Sequence, residues 1–179
     1  MAVESEFAGR RALVTGAESA VESYARKKHL TRNTGDSLAT WTDLKGGSMA
    51  ISKETKNFGM SWEKEYGYSQ AVKVADTIYL SGQVSHDDKG NIVGLGDMEA
   101  QMRQAWANVG KVLAQYGATI DNVVDEVIFV TDMEAAFAAA VKVRPEVFRS
   151  RPIVASTIVQ IQRLAFPELM IEIKCIAKV

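Results

Sequence analysis

Residues 97–117 read DMEAQMRQAWANVGKVLAQYG, and this stretch decides the architecture of the chain. Asp97 is a natural N-cap, because its short carboxylate accepts a backbone N–H that the first helical turn leaves without a partner. Glu99 follows at the positive end of the helix dipole. Met98, Met102, Ala105, Trp106, Val109, Val112, Leu113 and Tyr116 recur at spacings of three and four, so they share one face. That stripe reads as the core side of a helix, and Gly117 reads as its stop.

Working outward, the flanks alternate with period two. Residues 68–75 (YSQAVKVA) and 77–84 (TIYLSGQV) predict two strands joined through Asp76 as a hairpin. Residues 86–96 are rich in Asp, Gly and Asn and predict a loop, with His86 as a solvated loop histidine. Residues 123–131 (VVDEVIFVT) predict a third strand. Residues 133–148 predict a second helix with Phe137, Ala140, Val141, Val147 and Phe148 inward. Pro145 lies within it and cannot donate to the Val141 carbonyl, which predicts a kink or break. Residues 155–163 and 169–178 predict two more strands, joined around Phe166 and Pro167. The order β-β-α-β-α-β-β is that of a two-layer α+β domain with a mixed sheet of four to six strands. The sheet face away from the helices also carries apolar residues, and neighbouring subunits are the economical way to bury it.

The chain has 179 residues, 47% of them hydrophobic and 24% charged, with a net charge of −1. That is the composition of a soluble globular protein. There is no basic surplus to suit nucleic acid or an anionic membrane. No apolar run is long enough to span a bilayer, and the N-terminus has no secretory h-region. The single cysteine, Cys175, sits in the alternating apolar run IEIKCIA and reads as a buried structural thiol. A lone cysteine fits a reducing, cytoplasmic setting.

The first 48 residues differ from the rest. They are polar, lack a sustained period and end in Gly46-Gly47-Ser48. Residues 1–48 therefore read as a leader, tag or fusion segment before Met49, rather than a native extension wrapped around the domain. Residues 7–17 (FAGRRALVTGA) resemble the opening of short-chain dehydrogenases, but the later glycines are missing and Glu18 and Glu22 would repel phosphate. Residues 49–179 hold 14 Lys and Arg against 16 Asp and Glu, a net of −2, and one histidine. One histidine and one cysteine far apart give no zinc-ligand spacing.

YSQAVKVADTIYLSGQV, the helix DMEAQMRQAWANVGKVLAQYG, the strand VVDEVIFVTDM and the ending RLAFPELMIEIKCIA together resemble the Rid (YjgF-type) family of reactive imine/enamine intermediate deaminases. The likeness runs from Tyr68 to Ala177, with SGQV, the QxRQAxxNV helix and IEIKCIA in the family's order. It implies a chorismate-mutase-like fold and a homotrimer with inter-subunit clefts. It also implies hydrolysis of 2-imino or enamine acids to 2-keto acids and ammonia, with no metal or organic cofactor. Carried over one residue at a time, the family's cleft tyrosine matches Tyr68 and its Ser-Gly pair matches Ser81 and Gly82. The glutamate that orients the hydrolytic water matches Glu172, which would accept a water proton as the imine carbon is attacked.

The chain departs from the family where an arginine, in a Pro-Ala-Arg-Ser context, grips the substrate carboxylate. Aligned back from Arg163 and Leu164, that position is Ser156, followed by Thr157. The residue whose backbone carbonyl faces the imine becomes Ile158, and a second-helix asparagine becomes Val141. Arg149 and Arg151 precede Pro152 in a loop that could turn toward the cleft; their spacing differs from the motif, so solvated loop arginines are the first reading and replacement of the lost arginine the second. The resemblance thus implies a cofactor-free hydrolase of an imine, enamine or related C–N compound other than the standard 2-imino acids, with Ser156 and Thr157 meeting a neutral group. A non-catalytic trimer that binds a small metabolite is the alternative. RNA as partner fits poorly with the acidic charge and the lack of interleaved aromatics.

Overall fold

The computed structural model of the protein describes residues 51–149 and 153–179. The leader, its dehydrogenase-like stretch and Arg151 lie outside the described residues. The elements in order are β1 (Glu54–Lys56), α1 (Ser61–Glu65), β2 (Ala71–Val74), β3 (Thr77–Leu80), β4 (Gln83–Val84) and α2 (Met98–Ala114), then β5 (Val123–Val130), α3 (Met133–Val147), β6 (Ala155–Gln160) and β7 (Ile171–Lys178). Six strands lie in the order β1-β2-β3-β7-β5-β6, and β4 pairs with β7 next to β3. Among the described residues only β5 and β6 are parallel; the other pairs are antiparallel.

This is the expected two-layer α+β architecture, with α2 packed on the sheet at β4 and β7 and α3 packed beside α2. The Asp97 carboxylate accepts from the Ala100 N–H at 3.0 Å and caps α2, an interaction worth about 1 kcal/mol. Seven of the eight stripe residues are buried, from Met98 to Leu113, and Tyr116 is half-buried. On β7 the alternation is strict: Ile171, Ile173, Cys175 and Ala177 face the helices, while Glu172, Lys174, Ile176 and Lys178 face away. Burial, and then the nearby Glu126 and Asp125 charges, push the Cys175 thiol up, as a structural thiol requires.

Several expectations are corrected. The first strand begins at Ala71, not Tyr68, and is shorter. The second is broken after Leu80, and the register against β7 slips by one residue between Tyr79 opposite Ile176 and Gln83 opposite Ile173. An extra residue in one strand bends it and re-aims its side chains, the action of a bulge. In α3 the buried residues are Ala136, Ala139 and Val143, with Phe148 following, whereas Phe137 and Val141 are exposed. The alanine-rich sequence defines its stripe weakly, so packing chose a phase one residue away from the expected one. The helix also runs through Pro145 to Val147 and is not broken there. β1 and α1 were not expected, being too short to show periodicity.

The far face of the sheet is apolar along one row, where Val72 stands opposite Tyr79 and Tyr79 opposite Ile176. Tyr79 remains 48% exposed there. No helix among the described residues is long and apolar enough to cross a membrane.

Candidate functional site

The break between β3 and β4 leaves Ser81 and Gly82 at the mouth of a cavity of about 580 Å³. Tyr68, Ser81, Gly82 and Glu172 all line it. Glu172 reaches it from the open face of β7, opposite Val84 on β4 and Phe129 on β5. Gly82 is what lets it in. A Cβ built on Gly82 would overlap Oε1 of Glu172 and sit 2.6 Å from its Cγ. Burial raises the Glu172 carboxyl above the ordinary glutamate range, opposed in part by the Lys174 charge.

The wall beside Glu172 is built from a buried relay of side chains. Glu63, on α1, accepts from the backbone N–H groups of Phe58 at 2.8 Å, Gly59 at 2.9 Å and Met60 at 2.9 Å. It also accepts from Gln70 Nε2 at 2.8 Å. The Gln70 amide oxygen accepts in turn from Gln83 Nε2 at 2.9 Å. This chain ties α1, the entry to β2 and the start of β4 together without any β ladder. The Ser81 backbone N–H donates to the Gln70 carbonyl at 2.9 Å, and its hydroxyl donates to the Ser69 carbonyl at 2.7 Å. Ser81 is therefore already engaged in shaping the wall. Burial raises the Tyr68 hydroxyl above the usual phenol range, with Glu63 and Glu172 pushing the same way against hydrogen bonds from Trp62 and Gln70.

His86 also lines the cavity; it is 8% exposed and is no solvated loop residue. Its ring stands edge-on to Phe58 and Trp62, at 5.8 and 5.6 Å between centroids. Its Nδ1 lies 2.9 Å from the Asp87 carbonyl, which can only accept, so Nδ1 carries the proton. The polar side of α2 holds these loops in place. Gln104 and Asn108 both donate to the His86 carbonyl at 3.0 Å. Gln101 donates to the Glu168 carbonyl at 2.8 Å and accepts from the Met170 N–H at 2.8 Å, which fixes the entry to β7 just before Glu172. Gln101, Gln104 and Asn108 of the QxRQAxxNV run are thus clamps for the cavity's loops, while Arg103 pairs with Glu99 and Glu146 on the helices.

Ser156, Thr157 and Ile158 do not line this cavity. They lie on β6, the outer strand, with β5 between them and β7, roughly 10 Å away. Ser156 pairs with Glu126 and Ile158 with Ile128, both buried on the helix side, so these two face away from Glu172. Thr157 pairs with Val127 and shares the open face. Val141 is exposed on α3. Sequence reasoning missed Glu63, Trp62 and Gln70. Among the described residues no three His, Cys, Asp or Glu side chains come together to hold a metal ion.

Residues 61–179 match the sequence model of the family described as endoribonuclease L-PSP. The RutC family protein YjgH of Escherichia coli is 34% identical over 115 residues, which span 64% of this chain and 85% of that protein. The mouse protein named 2-iminobutanoate/2-iminopropanoate deaminase is 39% identical over 66 residues, 37% of this chain and 49% of that one. A solved YjgF-family structure from Mycobacterium tuberculosis superposes with a TM-score of 0.61 at 29% identity, covering 72% of this chain and 100% of the other. The chain therefore belongs to the endoribonuclease L-PSP family, the Rid/YjgF-type family that its strand and helix motifs resemble.

Proposed function

We propose that the protein hydrolyses an imine, enamine or related C–N compound other than the simple 2-imino acids, with Glu172 as the base. The observation that carries this reading is the Glu172 carboxylate folded over Gly82 into the cavity. A half-buried carboxylate with a raised pKa is a better proton acceptor than a solvated one. Water adds through oxygen to the imine carbon while Glu172 takes its proton. Glu172 hands that proton to nitrogen and then relays the proton of the carbinolamine hydroxyl to the same nitrogen; the oxygen lone pair forms the C=O bond as the C–N bond breaks with its electron pair going to nitrogen, and a carbonyl and an amine leave. No lysine or arginine among the described residues lines the cavity to grip a substrate carboxylate.

The same reading includes a homotrimer. The apolar row on the open sheet face supports it. In such an assembly the exposed outer strand β6 of one subunit would be free to meet the cavity of another, which is how Ser156, Thr157 and Ile158 would reach the substrate.

Ammonia or amine release is measured on the purified full chain, with 2-iminobutanoate generated in situ and with imines that carry no carboxylate. The carboxylate-free imines are expected to turn over faster. Glu172→Gln is expected to lose activity by about 100-fold or more. The acid limb of log kcat/KM should lie above the ordinary glutamate pKa of 4.5, because protonated Glu172 cannot accept the water proton. Rapid 2-iminobutanoate turnover, or full activity in Glu172→Gln, would overturn the proposal.

A further inference from the structure

The cavity has a charge and a surface that together select a ligand class. Its rim is aromatic: Trp62, Tyr66, Tyr68 and Phe166 line it. Three of these are left open to solvent, Tyr66 at 71%, Phe166 at 56% and Tyr68 at 38%. Aromatic rings exposed together around one concavity mark a binding surface rather than scattered surface residues. The carboxylates that line the cavity meet no lysine or arginine among the described lining residues; Lys174 lies near Glu172 but outside the lining. Glu172 and Glu65 line the cavity, and Glu63 lies buried in the wall behind it. The hydrogen-bond partners of Glu63 are backbone N–H groups and the Gln70 amide, none of them a cation. A low-dielectric concavity lined by carboxylates of one sign focuses a negative field.

We propose that this cavity takes a cation carried on an aromatic or cyclic apolar body, such as a protonated imine of an arylalkyl or ring amine. The inference deepens the hydrolase reading and rests on it for the identity of the reaction. Aromatic faces attract cations through the ring quadrupole, and the attraction grows as the cation is desolvated. A carboxylate at the base of the same cavity supplies the matching charge. An iminium carbon is also the form of the substrate that water attacks, so recognition of the cation selects the reactive species. A 2-imino acid brings a carboxylate into the same negative field and is disfavoured.

The test separates binding from turnover by using a cation that cannot be hydrolysed. Benzyltrimethylammonium, phenylacetate and benzyl alcohol are titrated into the full-length protein by calorimetry or ligand-observed NMR. The cation is expected to bind at least about tenfold more tightly than the anion or the alcohol. Glu172→Gln and, separately, the exposed Glu65→Gln should each weaken the cation by about threefold or more and leave the alcohol unchanged. Phenylacetate binding as tightly as the cation, no saturable cation binding below about 10 mM, or two glutamine variants that bind the cation as well as wild type would each overturn the proposal. Cation binding without imine turnover would leave it standing and remove the hydrolase reading alone.

Discussion

Gly82 carries no side chain because the carboxylate of Glu172 occupies the place a side chain would take. The requirement is one of space, so the smallest substitution tests it. Gly82→Ala is expected to fold, since the residue is half-buried in a strand break, yet to push Glu172 out of its position. If Glu172 is the base proposed above, activity should fall by at least about tenfold, as misplacement of a catalytic group by about an ångström commonly costs that or more. A Gly82→Ala variant with wild-type kcat/KM and an unshifted Tm would show that the close approach has no catalytic use. At this scale Gly82 and Glu172 were legible only through the family resemblance. Alternation alone puts Glu172 on the open face and says nothing about what it touches. His86 misled for the opposite reason. Its neighbours Asp87 and Asp88 are polar and turn-forming, but its own ring is claimed by Phe58 and Trp62, from a segment 24 to 28 residues earlier.

Among the elements, the short helix α1 does more than its five residues suggest. It delivers Glu63 to three consecutive backbone N–H groups and to Gln70, and so holds the cavity wall. Glu63→Ala is expected to cost about 2–4 kcal/mol in chemical denaturation, because buried N–H groups lose their acceptor. Hydrogen exchange should accelerate at Phe58, Gly59 and Met60 before it does in β7. Unchanged protection at those three amides would mean that other acceptors replace the carboxylate. The long helix α2 was legible from its cap and its spacing because its apolar residues are large and regularly placed. α3 was legible in extent but not in rotation: alanines fill both of its faces, so tertiary packing against α2 set the inward side. The split of the second strand was hidden because TIYLSGQV keeps a strand-like composition across the bulge.

The whole molecule presents an unbalanced sheet, covered by helices on one side and bare along Val72, Tyr79 and Ile176 on the other. Tyr79→Glu places a charge in the middle of that row without touching the helix-side core. If the proposed homotrimer uses this face, the wild type is expected to sediment as a trimer and the variant as a monomer, with far-ultraviolet circular dichroism unchanged. A trimer that survives Tyr79→Glu would place the subunit contact on another surface. The architecture was readable in outline because strand and helix periods differ so clearly along residues 68–178. The strand order was not readable, because pairing partners are chosen by twist and by which faces need covering rather than by neighbouring residues. That order has a consequence during synthesis. β7 lies at the middle of the sheet, between β3 and β5, yet it is the last described element to leave the ribosome. Until then no strand joins the hairpin half to the β5–β6 half. Nascent chains therefore expose an unfilled central slot flanked by bare strand edges, a state that calls for chaperone shelter. Glu172, the proposed base, arrives with the strand that closes the slot.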